Sequence, residues 1–85
     1  MVIITKPHEL TDWFLKSLVN SPTKEIQTIE AVKKIHEYME EGLISVQGDL
    51  YYDIRHKMWT VMNKLKKQGV IKKREEGSCC YWSFV

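Results

Sequence analysis

The spacing of apolar residues changes once along this chain, and the change falls at Gly69. Before Gly69, apolar side chains recur every three or four residues, as on one face of a helix. After it, Cys80, Trp82 and Phe84 alternate with other residues, as on one face of a strand. A chain of 85 residues holds one hydrophobic core. The sequence therefore predicts one α+β domain over residues 1–85, mainly helical, with a C-terminal β-hairpin.

The first predicted helix covers residues 7–20. Its apolar face consists of Leu10, Trp13, Phe14 and Leu18. The cluster from Asn20 to Thr23 contains Pro22 and would end the helix. This face is too apolar to leave in water, so it packs either on its own domain or against a second copy of the chain.

The second predicted helix begins near residue 24, with Ser21 or Thr23 as its N-cap. Gly42 suits the position just after its last turn. The expected apolar stripe of this helix is Ile26, Ile29, Val32, Ile35 and Met39. The apolar stretch from Leu43 to Val46 that follows is long enough only for a short strand or a turn.

Residues 47–57 allow two interpretations. In the first, Ser45 caps a short helix that runs through Tyr52, and a turn at Asp53 and Ile54 precedes another helix. In the second, Asp49 caps one long helix. We favour the short helix and turn. The helical core is then expected over residues 24–68, and the hairpin over residues 70–85.

The net charge of +2 conceals a strong asymmetry. Residues 1–54 hold five lysines against nine acids, whereas residues 55–74 hold eight basic residues and no acid. The basic residues are Arg55, Lys57, Lys64, Lys66, Lys67, Lys72, Lys73 and Arg74. Such a separation of negative and positive charge suits a polyanionic partner on one face of the molecule.

Several other classes of protein are excluded by what the sequence lacks. It has no apolar run near the 20 residues of a membrane span, and no phosphate loop, nucleophile elbow or metalloprotease motif. We therefore expect no enzyme, no cofactor and no metal site. Cys79 and Cys80 are adjacent, which suits neither an unstrained disulfide nor a zinc site and indicates reduced thiols in a cytoplasmic protein. Their role stays open.

The run from Met58 to Gly77 reads MWTVMNKLKKQGVIKKREEG and is followed by the aromatic pair Tyr81 and Trp82. It resembles the recognition helix and wing of the winged helix-turn-helix superfamily. That superfamily has apolar residues at these intervals, then Gly, a basic strand, a Gly turn and an aromatic strand. The resemblance covers residues 55–85 and extends back to Ile26. The helix at residues 7–20 lies outside it and would be an N-terminal addition to a complete three-helix core.

The resemblance implies binding of double-stranded DNA by a small stand-alone transcriptional regulator. With Met58, Val61, Met62 and Leu65 inward, a helical wheel places His56, Thr60, Asn63 and Lys67 outward. Asn, Thr and Lys side chains can read base edges in the major groove, and a basic wing can contact phosphates. The predicted DNA-binding residues are Arg55, His56, Lys57, Trp59, Thr60, Asn63, Lys64, Lys67, Lys72, Lys73 and Arg74.

Two further hypotheses concern partners. The alternative to DNA binding is a winged-helix interaction module whose basic face docks an acidic protein in a larger assembly. For the helix at residues 7–20, we favour homodimerisation, because that helix is surplus to the core that the resemblance implies. Its contact residues would be Leu10, Trp13, Phe14 and Leu18.

Overall fold

A computed structural model describes residues 1–47 and 51–85 of the chain. Its elements are β1 (Val2–Ile4), a 3₁₀ turn (Pro7–Leu10), α1 (Thr11–Val19), β2 (Glu25–Gln27), α2 (Thr28–Glu40), β3 (Ile44–Val46), α3 (Tyr51–Lys67), β4 (Ile71–Glu76) and β5 (Cys79–Phe84). β2, β5 and β4 form an antiparallel sheet in that order, and β1 pairs in parallel with β3. The predicted α+β class is confirmed.

The helix α1 and the 3₁₀ turn before it contribute to the core. Leu10, Phe14 and Leu18 are fully buried within the single chain, and only Trp13 of the predicted face stays partly exposed. The prediction that this helix is an addition to a complete core is not confirmed. Because three of the four side chains of the predicted face are covered by the chain itself, they are not available as a surface for a second copy.

The segment that was expected to start the second helix forms strand β2. The hydroxyls of Ser21 and Thr23 donate to the carbonyl of Glu25, whereas N-caps would accept from helix amides. Lys24 has a φ of 58°, which turns the chain before the strand. α2 therefore begins at Thr28, not near residue 24. This later start leaves Ile29 52% exposed, and the buried stripe is Ala31, Val32 and Ile35.

Glycines end α2 and α3 in the same way. Gly42 and Gly69 have φ values of 77° and 76°, in the left-handed region that favours glycine. The amide of Leu43 donates to Tyr38, and the amide of Val70 donates to Leu65, which satisfies carbonyls of the last helical turns. The predicted stop at each glycine is confirmed.

α3 is one helix over the described residues from Tyr51 to Lys67. The predicted turn at Asp53 and Ile54 is wrong, because Ile54 is fully buried and continues the apolar face of the helix. The single-helix interpretation is confirmed from residue 51 onward. The cap that it assigned to Asp49 lies outside the described residues.

The C-terminal hairpin is confirmed, with Gly77 in its turn at a φ of 61°. Trp82 is fully buried and its indole N–H donates to the hydroxyl of Thr28 at 2.8 Å. The sheet therefore joins β5 to the start of α2 through a side chain as well as through β2. The predicted alternation is strongest at Trp82, since Phe84 is 37% exposed at the end of the strand.

Candidate nucleic-acid interface

α3 has a buried side and a solvent side, as its apolar spacing predicts. The buried side chains are Ile54, Met58, Val61, Met62 and Leu65. The solvent side exposes Arg55, His56, Trp59, Thr60, Lys64, Lys66 and Lys67, with Asn63 half-buried among them. We call these eight residues the α3 surface.

The cations of the α3 surface are free of ion pairs. Among the residues that the structure describes, no carboxylate pairs with Arg55, Lys64, Lys66 or Lys67. Lys66 was missing from the predicted DNA-binding residues. It lies seven residues after Trp59, two helical turns along the same side, and this spacing would have identified it. These four charges can meet an anion without first breaking an ion pair within the protein.

Two polar side chains of the α3 surface bond to their own helix. The hydroxyl of Thr60 donates to the carbonyl of His56 at 3.1 Å, and the amide nitrogen of Asn63 donates to the carbonyl of Trp59 at 3.0 Å. Within the helix, these carbonyls also accept from backbone amides. Exchanging the side-chain bonds for bonds to a ligand therefore leaves no backbone group unsatisfied.

Lys57 is not part of the α3 surface. Its ammonium lies 3.2 Å from a carboxylate oxygen of Asp53 and 3.5 Å from the carbonyl of Gln47, and its side chain is only 13% exposed. The lysine therefore ties the first turns of α3 to the end of β3. Its predicted role at the interface is not supported by this position.

Lys73 extends from β4 of the hairpin toward α3. Its ammonium is 5.2 Å from the ring centroid of Trp59 and 5.7 Å from that of Trp82, and it pairs with Glu75 at 2.9 Å. The two indole rings meet edge to face, with centroids 6.0 Å apart. The hydrogen bond to Glu75 raises the pKa of Lys73 and lowers that of Glu75. We call Trp59, Lys73 and Trp82 the indole clamp.

Arg74 lies on the opposite face of the sheet from the indole clamp. Residues alternate along β4, so Ile71 and Lys73 face the core while Lys72 and Arg74 face away. Two guanidinium nitrogens of Arg74 donate to the carboxylate of Glu25 at 2.8 and 3.2 Å. The guanidinium also lies 4.4 Å from the ring centroid of Tyr81 on β5, the strand between β4 and β2. Arg74 thus ties β4 to β2 across β5.

The ion pairs of Arg74 shift the pKa values of the paired groups. The hydrogen bond from Arg74 holds the pKa of Glu25 below its ordinary value, and the bonds to Glu25 and Glu76 raise the pKa of Arg74. The structure thus separates the three basic residues that were predicted to act together in the wing. Lys73 is held against α3, Arg74 is paired on the other face, and Lys72 is exposed beside Arg74.

A shallow groove runs along the edge of the α3 surface. It is lined by Pro7, His8, Thr11, Thr60, Val61 and Lys64. The 3₁₀ turn supplies His8 to this edge and the start of α1 supplies Thr11, and neither is among the predicted site residues. No local pattern in the sequence indicates that this turn packs beside α3.

The described part of the chain contains no cluster of three or more His, Cys, Asp or Glu side chains able to hold a metal ion. Nor does any helix within it have the length and apolarity needed to cross a membrane. No protein-family model, no curated protein and no solved structure matches this chain. The role of the α3 surface therefore has to be inferred from its geometry and charge.

Proposed function

We propose that this chain is a winged helix-turn-helix protein that binds double-stranded DNA through the α3 surface, as a small transcriptional regulator. The observation that carries the proposal is the composition of that surface. Polar side chains able to read bases, Thr60 and Asn63, lie among four unpaired cations, and no acid occurs from Arg55 to Lys67. Such a surface matches an anionic ligand that also presents hydrogen-bonding groups.

The order of the elements supports the winged-helix assignment. From α1 to β5 the chain forms a helix, a short strand, a helix, a second short strand, a helix and a hairpin. β2 lies beside β5 in the sheet, and β3 pairs with β1. In this arrangement α1 is the first of three core helices, α3 is the recognition helix, and β4 and β5 form the wing. The buried face of α1 agrees with that role.

The dimensions of α3 suit the major groove. Its 17 residues give a helix about 25 Å long, and the major groove of B-DNA, about 12 Å wide, admits such a helix. Asn63 has the donor and acceptor that pair with adenine, and the methyl group of Thr60 can contact that of thymine. Lys64 and Lys67 lie one turn further along and can reach phosphates or guanine.

The charge of the rest of the chain favours one orientation on DNA. The exposed side of α2 carries Glu30, Glu37 and Glu40 against Lys33 and Lys34, and Glu41 follows at its end, so these residues sum to a charge of −2. A polyanion would be attracted by the basic α3 and weakly repelled by α2. A duplex should therefore approach from the α3 side.

Removing two cations from the α3 surface tests the proposal. With four unpaired cations in contact with phosphates, log K for a random duplex should fall with log salt at a slope of about −4. The double substitution Lys64→Ala and Lys67→Ala should flatten that slope to about −2, because each lost phosphate contact removes about one unit. Fluorescence anisotropy with a labelled duplex over a salt series measures both slopes.

The control is Lys33→Ala with Lys34→Ala, which removes two exposed lysines from α2, of which Lys34 pairs with Glu37, and it should leave the slope unchanged. Equal flattening by both pairs would show that binding follows net charge and not the α3 surface. Failure of the wild-type protein to shift any duplex, together with capture of an acidic protein, would favour the interaction-module alternative. Given binding, Asn63→Ala should change sequence preference more than affinity for random DNA.

Arg74 provides a contrasting prediction on the other face of the sheet. Because its guanidinium is paired with Glu25 and Glu76, Arg74→Ala should change the affinity for a random duplex by less than about twofold and leave the salt slope unaltered. The same salt series measures this. A slope flattened by about one unit would mean that Arg74 leaves its carboxylates and contacts a phosphate on the complex.

A further inference from the structure

The indole clamp is the point where the hairpin and the α3 surface meet. Trp82 faces Lys73 directly across the β4–β5 pair, and Trp59 approaches the same ammonium from α3. Trp82 is fully buried and Trp59 is 41% exposed, so the clamp has one end in the core and one end at the surface. It therefore connects the core of the sheet to the residues that would meet a duplex.

The environment of Lys73 differs from that of the other cations of this region. Its side chain is 17% exposed, it contacts two aromatic rings, and its charge is paired with Glu75. Moving the ammonium to a phosphate would break all three interactions, whereas Lys64, Lys66 and Lys67 have no ion pair to break among the described residues. Cation–π contacts of this kind strengthen as water is excluded from them. Lys73 is better placed to hold structure than to contact a ligand.

The clamp adjoins a residue that can read bases. Trp59 carries the carbonyl that accepts the side-chain amide of Asn63, one turn further along α3. Fixing the ring of Trp59 against Lys73 fixes the position of the hairpin relative to this pair of residues. The position of the hairpin relative to Asn63 is therefore fixed before a ligand binds.

We infer that Lys73 is a positioning residue, which sets the hairpin and Trp59 relative to α3 and thereby controls sequence preference without contacting phosphate. The inference rests on the proposed function, since it assigns a role within the same DNA-binding site. It reverses the assignment of Lys73 to the phosphate contacts of the wing. Two of the three predicted wing cations, Lys73 and Arg74, then serve the architecture of the sheet.

The substitution Lys73→Met separates the two roles, since it keeps the aliphatic stem and removes the charge. If Lys73 is a positioning residue, Lys73→Met should leave the salt slope on random duplex unchanged and reduce the preference for a selected binding sequence. If Lys73 contacts a phosphate, the substitution should flatten the slope by about one unit. Lys73→Arg, which can still stack on the indoles and pair with Glu75, should restore the preference. The matched control is Lys72→Met, which changes the neighbouring, exposed lysine on the other face.

A second measurement tests the clamp without DNA. In a Trp13→Phe background, excitation that selects for tryptophan reports only on the buried Trp82 and the half-exposed Trp59. Lys73→Met should raise quenching by acrylamide, up to about twofold if Trp59 becomes fully exposed from its present 41%. Lys72→Met and Lys73→Arg should leave quenching unchanged.

The two measurements distinguish the possible failures. Unchanged quenching in Lys73→Met would overturn the positioning role, whatever the duplex results. A flattened salt slope would overturn it too, because it would show direct contact with phosphate. Absence of duplex binding by the wild-type protein would overturn the proposed function and with it the claim about sequence preference. Increased quenching would then still establish the clamp as a link between hairpin and helix.

Discussion

Phe14→Ala should lower the free energy of unfolding by about 3–5 kcal/mol, the usual result of removing a large, fully buried aromatic side chain. Small domains are stable by only about 5–15 kcal/mol in total, so the variant should lose a large share of its stability and unfold at a much lower urea concentration than the wild type. The cause is the loss of apolar burial together with a cavity between α1 and the rest of the core. Urea denaturation followed by circular dichroism measures the change.

The control on the same helix is Val19→Ala. Val19 is 50% exposed, so this substitution should change the free energy of unfolding by no more than about 0.5 kcal/mol. Sedimentation distinguishes the core role of α1 from a dimer contact. If Phe14→Ala stayed folded and only changed the mass of the particle, α1 would be an interface between copies and its place in the monomer core would be wrong.

Trp82→Ala should have a comparable effect, again about 3–5 kcal/mol, because Trp82 is the largest fully buried side chain. The substitution also leaves the hydroxyl of Thr28 without its donor and removes the ring that supports Lys73 and Trp59. The substitution should therefore remove contacts that join β5 to both α2 and α3. Urea denaturation measures the stability, and hydrogen exchange at the amides of β4 and β5 shows where protection is lost.

Trp59→Ala is the informative comparison for this prediction. It breaks the same contact between the two indole rings by removing the half-exposed ring, so it should lower the free energy of unfolding by about 0.5–1.5 kcal/mol. Equal losses from the two substitutions would mean that the ring contact, and not the burial of Trp82, dominates the stability of the hairpin.

Much of the fold could be predicted from local patterns. The apolar spacing predicts α1, the buried side of α3 and the hairpin, and glycines correctly mark the ends of α2 and α3. The alternation along β4 carried a further signal that was not used. Because Ile71 is apolar and inward, Lys73 must share its face while Arg74 does not. That alternation alone separates the residues that had been grouped as one basic wing.

β2 could not be predicted in this way. Glu25, Ile26 and Gln27 are too few to show an alternation, and Ile26 fits a helical stripe equally well in sequence. The strand forms because β5 offers it a backbone partner, with Ile26 opposite Trp82 in the register. The two residues are distant in sequence, so neither local segment contains the information.

The sequence by itself determined which side chains seek burial and where positive charge accumulates, because periodicity and composition are properties of neighbouring residues. Only the tertiary structure decided what each buried face packs against and which cations remain free. The apolar face of α1 packed in the core, and Lys73 and Arg74 found carboxylate partners, whereas Arg55, Lys64, Lys66 and Lys67 of the α3 surface have no ion pair within the described part of the chain. The physical reason is that burial and ion pairing are satisfied between segments distant in the chain, and several partners can satisfy the same local pattern.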